Sequence, residues 1–279
     1  ANNNTAIGYE SLTTNTTGHS NTSVGRTSLN ANSTGNNNTA VGMGSLESNT
    51  TANNNTAIGK NTLQSNTTGA SNVAAGLEAL KTNTTGSSNI GIGVGALENN
   101  TTASQNIGIG HDALLSNTTG TSNVAIGYQS LDATTTGSRN TAIGNSSGSS
   151  NVSGDDNTFV GNLAGEATTG SHNTAVGQQA LEVNSTGAYN TALGKQALEA
   201  NTSASYNVAI GIECMRNNTT GSPNTAVGAF ALDANTSGTG QVAIGANALG
   251  ACTTGGTNTA VGEKALLSCT TGESNTAVG

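Results

Sequence analysis

Residues 55–71 read NTAIGKNTLQSNTTGAS, and residues 72–88 read NVAAGLEALKTNTTGSS. Both are copies of one 17-residue unit with the consensus N-T-A-V-G-x-x-A-L-x-x-N-T-T-G-x-x. We number its positions 1 to 17 from the first Asn, and we call the equivalent position of all copies a column. Column 5 is Gly in all seventeen copies, beginning with Gly8, Gly25, Gly42 and Gly59. A fixed period of this length is typical of a repeat architecture in which each copy is one structural unit.

The charged residues occupy only a few columns of the repeat. All 22 of them, 7 basic and 15 acidic, fall in columns 6, 7, 10, 16 and 17, so we predict that these columns face water. Columns 4 and 9 hold mainly Val or Ile and Leu, respectively, and never carry a charge. We therefore predict that both point inward and form two apolar spines. The Leu spine begins with Leu12, Leu29, Leu46 and Leu63.

The T-A-V-G run alternates as a β-strand does, and the Ala-Leu pair of columns 8 and 9 predicts a second short strand. N-T-T-G supplies a turn, because Gly tolerates positive φ. Two helices do not fit in 17 residues, and the glycines would interrupt them. The chain is therefore predicted to be all-β, a parallel β-solenoid (β-roll) of about sixteen 17-residue coils. Coils stacked about 4.8 Å apart would give a rod on the order of 75 Å long.

Stacked coils place each residue over its equivalent in the next coil. The Asn side chains of column 1 are predicted to pass amide hydrogen bonds along the stack, as in cross-β structures. The first of them are Asn4, Asn21, Asn38 and Asn55. The Thr residues of columns 13 and 14 are expected to do the same with their hydroxyl groups. The small residues of columns 3 and 8 are expected to pack either inside the coil or against a neighbouring chain.

The strand motif of residues 123–127 (NVAIG), which recurs at residues 207–211, resembles the head repeats of YadA-type trimeric autotransporter adhesins. Similar repeats occur in phage and viral tail fibres. The resemblance extends over the whole chain, because every copy carries the strand motif. It implies a left-handed parallel β-roll, the association of three chains into a trimeric rod, and binding to a host surface or matrix. The N-T-T-G turn makes this unit longer than is typical of that family.

No group of residues in the sequence assembles a catalytic or metal site. His19, His111 and His172 lie in different columns and have no His or Cys partner in a neighbouring coil, so we expect surface histidines without a metal. The acidic pair Asp155-Asp156 lacks the spacing of a calcium loop and is expected in a solvated turn. No nucleophile, base and acid can be combined, so we predict neither enzyme activity nor a cofactor.

Cys252 and Cys269 share column 12 in successive coils, so their Cα atoms are expected about 5 Å apart, within disulfide range. A disulfide or two free thiols both fit the sequence, while Cys214 stands alone in column 8. Column 12 also contains N-glycosylation sequons, at Asn15, Asn49, Asn66, Asn117 and Asn218. We interpret these as a by-product of the turn sequence; the alternative is a sugar coat along one edge.

Residues 1–279 are predicted to form a single tandem-repeat array that is irregular only at residues 145–170. There, Gly148 and Gly165 replace the Leu of column 9, Phe159 occupies column 3, and one residue is deleted. Neutral drift tolerated by neighbouring coils explains this irregularity, and a kink or docking point is the alternative. Because the chain begins and ends inside a repeat, we expect it to be part of a longer fibre.

These patterns favour a structural function. We expect a rod or fibre segment of an extracellular surface adhesin or virion tail fibre, homotrimeric, presenting a binding surface or tip to a host-surface or matrix ligand. A self-assembling filament joined end to end and an ice-binding β-solenoid are the alternatives. Seven scattered basic residues in a chain of net charge −8 give no footprint for nucleic acid. No apolar run is long enough to cross a membrane.

Overall fold

The computed structural model describes residues 1–279 and divides them into two compact units, Ala1–Arg139 and Asn140–Gly279. Each regular element is a three-residue strand at columns 2 to 4 of a repeat. The first unit contains β1 (Thr5–Ile7), β2 (Thr22–Val24), β3 (Thr39–Val41), β4 (Thr56–Ile58), β5 (Val73–Ala75), β6 (Ile90–Ile92), β7 (Ile107–Ile109) and β8 (Val124–Ile126). The second contains β9 (Thr141–Ile143), β10 (Thr158–Val160), β11 (Thr174–Val176), β12 (Thr191–Leu193), β13 (Val208–Ile210), β14 (Thr225–Val227), β15 (Val242–Ile244), β16 (Thr259–Val261) and β17 (Thr276–Val278).

Within each unit, successive strands pair in parallel and in register, column over column. Thr5 of β1 lies opposite Thr22 of β2, 17 residues further along the chain. In the second unit, Thr158 pairs with Thr141 on one side and with Thr174 on the other. The latter step is only 16 residues, so the turn absorbs the deletion and the register is kept. Both units are parallel β-solenoids with about sixteen coils in total and no helix, which confirms the predicted all-β fold.

The prediction that column 4 points inward is wrong. Ala57 of column 3 is 0% exposed, whereas Ile58 of column 4 is 48% exposed. Side chains alternate between the two sides of a strand, so columns 2 and 4 face outward together and column 3 faces inward. The coil is thin, and Ala is the size of residue that fits between its walls. An uncharged outer face shows the same absence of charge as a buried face, so the charge pattern does not fix the direction of column 4.

The interior of a typical coil contains small residues, one Leu and two Asn side chains. Ala side chains of columns 3 and 8 are buried, as in Ala96 and Ala125, so they pack inside the coil rather than against another chain. Leu29, Leu46 and Leu63 of column 9 are fully buried, as predicted, while Leu12 in the first coil is half-buried. No charged side chain is buried, so the prediction that the charged columns face water is confirmed.

The second strand predicted at columns 8 and 9 is replaced by a turn with left-handed backbone. Leu29 has a φ of 45° and Leu63 a φ of 49°. The Leu amide still bonds to the next coil, as Leu29 N donates to Ser45 O at 3.0 Å. A left-handed conformation costs a residue with a Cβ roughly 1–2 kcal/mol. The burial of the Leu side chain, which contributes roughly 1.5–3 kcal/mol, offsets that cost.

Column 5 admits only glycine because successive coils approach closely there. Gly8 has a φ of 132°, and a Cβ built on it would lie 2.5 Å from the Gly25 carbonyl oxygen. Real Cβ atoms do not tolerate such an approach to backbone. The predicted glycine ladder of Gly8, Gly25, Gly42 and Gly59 is therefore the contact that sets the spacing of coils after each strand.

Candidate functional site: buried ladders and exposed faces

A ladder of side-chain amides runs along column 12 wherever successive coils have Asn there. In the first unit, Asn83 Nδ2 donates to Asn66 Oδ1 at 2.9 Å, and Asn100 Nδ2 donates to Asn83 Oδ1 at 2.8 Å. The second Nδ2 hydrogen of Asn83 bonds to Gly86 O at 2.9 Å, within its own turn. The ladder stops where Thr134 replaces Asn, and the buried Asn117 Oδ1 has no partner. Asn83 thus donates hydrogen bonds both to its own turn and to the adjacent coil.

The Asn side chains of column 1 bond differently from the prediction. Asn21 Oδ1 accepts from the backbone N of Asn38 at 2.9 Å, and Asn21 Nδ2 donates to Gly35 O at 2.8 Å. The same Gly35 carbonyl accepts from Asn32 Nδ2 of column 12 at 3.0 Å. The first four members follow this pattern, with Asn4 half-buried and Asn21, Asn38 and Asn55 fully buried. Column 1 therefore bonds across its own coil through Nδ2 and to the backbone of the next coil through Oδ1. Amide-to-amide bonding belongs mainly to column 12.

The Thr residues of columns 13 and 14 lie in different environments. In column 13 the hydroxyl donates to the backbone carbonyl of the next coil, as Thr67 Oγ1 does to Thr84 O at 3.0 Å. This corrects the expectation of hydroxyl-to-hydroxyl bonding. Column 14 is exposed in most coils, for example at Thr68, Thr102 and Thr136. Its Thr and Ser side chains form an uncharged outer row that carries hydroxyl groups.

Most of the sequon asparagines of column 12 are inaccessible in the fold. Asn49, Asn66, Asn117 and Asn218 are fully buried, and Asn15 is half-buried. Glycosylation would attach to the Nδ2 atom, which in Asn66 donates to Asn49 Oδ1 at 3.0 Å and to Gly69 O at 2.9 Å. A sugar at this atom is incompatible with the coil, so these sequons belong to the ladder.

The second coil of the irregular segment, which contains Phe159 and Gly165, has a filled core. Phe159 of column 3 is fully buried, and a Cβ added to Gly165 would overlap the Cδ1 and Cε1 atoms of its ring. The phenyl ring therefore takes the volume that the Leu of column 9 fills in other coils. Pairing of β10 with both neighbours continues through this segment. These contacts support compensated drift; the docking point stays a prediction that limited proteolysis within residues 145–170 would test.

The three cysteines are free thiols in the structure. Cys252 is buried and Cys269 half-buried in the next coil, and interaction with the Cys269 thiol contributes, after burial, to raising the pKa of Cys252. The structure has the free-thiol alternative, and the possible disulfide between these two residues stays a hypothesis. Cys214 is fully enclosed in column 8, and burial raises the pKa of its thiol to about 12.

The histidines and their neighbours reveal a feature that the sequence analysis missed. His172, Tyr189 and Tyr206 lie in column 17 of successive coils, and their rings stack with centroids 4.7 Å and 5.1 Å apart. His111 stacks on Tyr128 in column 6 in the same way, at 5.6 Å. The 17-residue spacing of these aromatic residues was the available signal. Because the ring faces are occupied by one another, these stacks stabilise the outer wall.

Charged side chains form short rows on columns 7 and 10. Lys81 Nζ lies 3.1 Å from Glu78 and 3.7 Å from Glu98, and Arg216 Nε lies 2.6 Å from Glu199. Burial, followed by repulsion from Glu199 and Glu166, raises the pKa of Glu182. Burial also raises the pKa values of Asp132 and Asp233, each of which has an Oδ1 atom without a hydrogen-bond partner.

No three His, Cys, Asp or Glu side chains in residues 1–279 converge as metal ligands would. Asp156 of the acidic pair lies 3.8 Å from His172 Nδ1, between neighbouring coils. No helix with the length and apolar character needed to span a bilayer is present.

In each unit, the outward side chains of columns 2 and 4 form an uncharged surface that we call the strand face. Column 2 is Thr in eleven strands and Val or Ile in six, and column 4 is almost entirely Val or Ile. In the first unit, Val73, Ile92 and Ile126 are exposed members of this face. Parallel in-register pairing places each of these side chains beside its equivalent, about 4.8 Å away.

No family model matches this chain, and no curated protein matches its sequence. The functional argument therefore depends on the ladders and the outer faces. Their common property is repetition along the stack, since every coil offers the same donors, acceptors and outward side chains as the one before it.

Proposed function

We propose that the chain is a structural rod or fibre segment of an extracellular surface adhesin or tail fibre. The observation that carries this proposal is the coil-to-coil bonding of buried Asn side chains, exemplified by Asn66, Asn83 and Asn100. Each coil is stabilised by its neighbours rather than by a central core, which is the organisation of a one-dimensional repeat protein. Such a molecule serves best as a spacer or as an extended surface.

The proposed molecule is a homotrimer that holds a binding surface or tip away from the cell or virion. The resemblance of the NVAIG motif to the head repeats of trimeric adhesins supports the trimer, the extracellular location and a host-surface or matrix ligand. End-to-end assembly of copies into a filament is the alternative within the same structural class.

Electron micrographs together with sedimentation velocity test this proposal. We expect elongated particles in which residues 1–279 span on the order of 75 Å. Their mass should be three times the 27.2 kDa of one chain. Polymers of indefinite length would support the filament instead. Compact, nearly spherical particles would overturn the rod.

A second candidate function is ice binding, and the geometry of the strand face favours it more than the sequence did. In eleven strands, the Thr of column 2 lies two positions from the aliphatic residue of column 4 on the same side of the strand, as Thr56 and Ile58 do on β4. A flat, regular array of Thr and β-branched side chains is a surface that can order water. Thermal hysteresis in a freezing-point assay is expected only for this candidate, and its absence would remove it.

A further inference from the structure

We infer that Tyr189 and Tyr206 form an oxidative crosslinking site, at which a peroxidase-type oxidant joins their rings as dityrosine and links two neighbouring coils covalently. The inference goes beyond the proposed rod and does not depend on how many chains the rod contains. The observation that carries it is the parallel stack of the two phenol rings, with centroids 5.1 Å apart and an interplanar angle of 2°.

The chain places two of its few tyrosines together. It contains four tyrosines, and only Tyr189 and Tyr206 stack on one another. Tyr128 stacks on His111 instead, and Tyr9 lies in the first coil. Column 17, which holds the stacked pair, is Ser or Asn in most coils of the first unit. The pair is therefore a local departure from the repeat rather than part of its consensus.

The backbone fixes how the two rings are presented. Tyr189 and Tyr206 have left-handed φ values of 58° and 63°, so their side chains leave the stacked coils in nearly the same direction. Tyr189 N donates to Ser171 O at 3.3 Å, and Tyr206 N donates to Ala188 O at 3.1 Å, each in the preceding coil. These bonds tie the spacing of the rings to the spacing of the coils. Because the pair is held together in advance, coupling is a unimolecular step that need not bring two chains together.

The stacked pair is open to an oxidant on its outer side. Tyr189 is 50% exposed and Tyr206 is 62% exposed. His172 of the preceding coil covers the opposite face of Tyr189, with centroids 4.7 Å apart, so Tyr206 is the one tyrosine that stacks on Tyr189. Exposed aromatic side chains can turn about χ1 and χ2. Such turns let the edges of the two rings approach until their ortho carbons, the Cε atoms, meet.

The coupling reaction balances with hydrogen peroxide as the terminal oxidant. The peroxidase takes one electron from each phenol, and each hydroxyl group releases its proton, which gives two tyrosyl radicals. The radicals pair their electrons in a new carbon–carbon bond between one ortho carbon of each ring. The hydrogen on each of these carbons leaves as a proton while a proton returns to each oxygen, which restores both phenols. The two electrons and two protons removed in total reduce one hydrogen peroxide to two water molecules.

The test treats the full chain with a haem peroxidase and hydrogen peroxide, then separates monomer from covalent dimer by denaturing electrophoresis. Fluorescence measures the yield of dityrosine, and mass spectrometry of proteolytic peptides locates it. Tyr206→Phe keeps the stacked ring and removes the phenol. Tyr128→Phe is the matched control, because Tyr128 is similarly exposed, at 48%, but lies against a His.

A further variant keeps the number of tyrosines and separates the pair. It combines Tyr206→Phe with Thr257→Tyr, which is an exposed position of column 17 in a more distant coil. Circular dichroism checks that every variant retains the fold of the wild type.

We expect dityrosine between Tyr189 and Tyr206 in the monomer band of the wild type and of the Tyr128→Phe protein. Its yield should fall roughly tenfold or more in both variants that lack Tyr206, because coupling then loses its preorganised partner. An unchanged yield in these variants, or dityrosine found only in covalent dimers, would overturn the inference. So would a wild type without dityrosine under conditions that couple free tyrosine. None of these outcomes alters the expected shape and mass of the proposed rod, so the two proposals can fail separately.

Discussion

The ring of Phe159 fills the space that a side chain at Gly165 would occupy, so two unusual residues in one coil compensate each other. Gly165 is in the left-handed conformation, with a φ of 61°, in the column where other coils have a left-handed Leu. The backbone at this position therefore accepts Leu, and only the phenyl ring excludes it.

Substituting Gly165→Leu alone is expected to destabilise the protein by about 1–3 kcal/mol, because it overpacks the coil. Phe159→Ala alone should cost about 3–5 kcal/mol, since it leaves a cavity. The double variant restores the consensus pair of Ala and Leu and is expected to be more stable than either single variant. Urea denaturation followed by circular dichroism measures all three. Additive losses in the double variant would contradict the compensation.

The amide ladder predicts a large effect at Asn83, which makes three buried hydrogen bonds. Asn83→Ala leaves Asn66 Oδ1 and one Nδ2 hydrogen of Asn100 without a partner. It also removes one of the two amide donors to Gly86 O, since Asn72 Nδ2 remains. Unsatisfied buried groups cost about 1–3 kcal/mol each. We expect a loss of about 3 kcal/mol or more of unfolding free energy. Thermal and urea denaturation provide the measurement.

Two controls accompany the Asn83 variant. Asn99→Ala removes an exposed amide from the turn of the next coil and should change stability by less than about 0.5 kcal/mol. Asn83→Thr introduces the residue that the chain itself uses in this column at Thr134 and should be milder than Asn83→Ala. Equal effects of the Asn83→Ala and Asn99→Ala substitutions would show that the ladder does not stabilise the stack.

The cysteines should react in a defined order. In the native state we expect a thiol reagent at pH 8 to label Cys269, which is half-buried, before Cys252, and not to label Cys214. Burial holds the pKa of Cys214 at about 12, so its reactive thiolate is scarce. Mass spectrometry of the labelled peptides identifies the sites.

Cys214→Ala, which restores the usual residue of column 8, serves as the control for the labelling experiment. It should leave native labelling unchanged and remove one label after denaturation. Glutathione disulfide should form the Cys252–Cys269 bond without involving Cys214. Native labelling of Cys214 as fast as that of Cys269 would contradict the enclosed position.

Asp132 predicts a pH dependence of stability. Burial raises its pKa above the ordinary value of 3.8, so the folded state disfavours the carboxylate. Its favourable contribution to folding is complete below pH 3.8 and is lost as the pH rises through the folded-state pKa. At pH 7, Asp132→Asn should therefore be more stable than wild type, by less than about 1 kcal/mol because the site is only half-buried. The difference should vanish towards pH 3.

Chemical denaturation at a series of pH values measures the Asp132 effect. Glu273→Gln, at an exposed position, is the matched control for removing one carboxylate charge. If the Asp132→Asn protein were less stable than wild type at pH 7, the carboxylate would be making a favourable contact and the assigned cause would be wrong.

Much of the fold was predictable because repetition makes local signals reinforce one another. The 17-residue period, the all-β class and the buried Leu of column 9 all follow from positions such as Leu46 and Leu63, which recur without exception in the first eight coils. The direction of column 4 was not predictable from charge alone, since Ile58 lies on an uncharged outer face. Its orientation follows from strand alternation once Ala57 is recognised as the inward residue.

Other features depend on contacts between residues that the repeat consensus does not connect. The Phe159 ring and Gly165 lie six positions apart, and only the cross-section of the coil brings them together. Similarly, Asn83 looked like a turn residue or a glycosylation acceptor, because its burial depends on the coils above and below. The strand face is not evident from the sequence, because an absence of charge in columns 2 and 4 fits a buried face and an uncharged outer face equally well.

The bond from each Asn of column 12 to its counterpart has a consequence for how such a gene can change. A coil presents the same hydrogen-bonding groups on its upper side as its neighbour presents to it, so duplication or loss of one whole repeat within a unit reproduces existing contacts. Protein length can thus vary in discrete steps during evolution while stability per coil stays constant. Selection can therefore adjust the length of the solenoid through the number of its repeats.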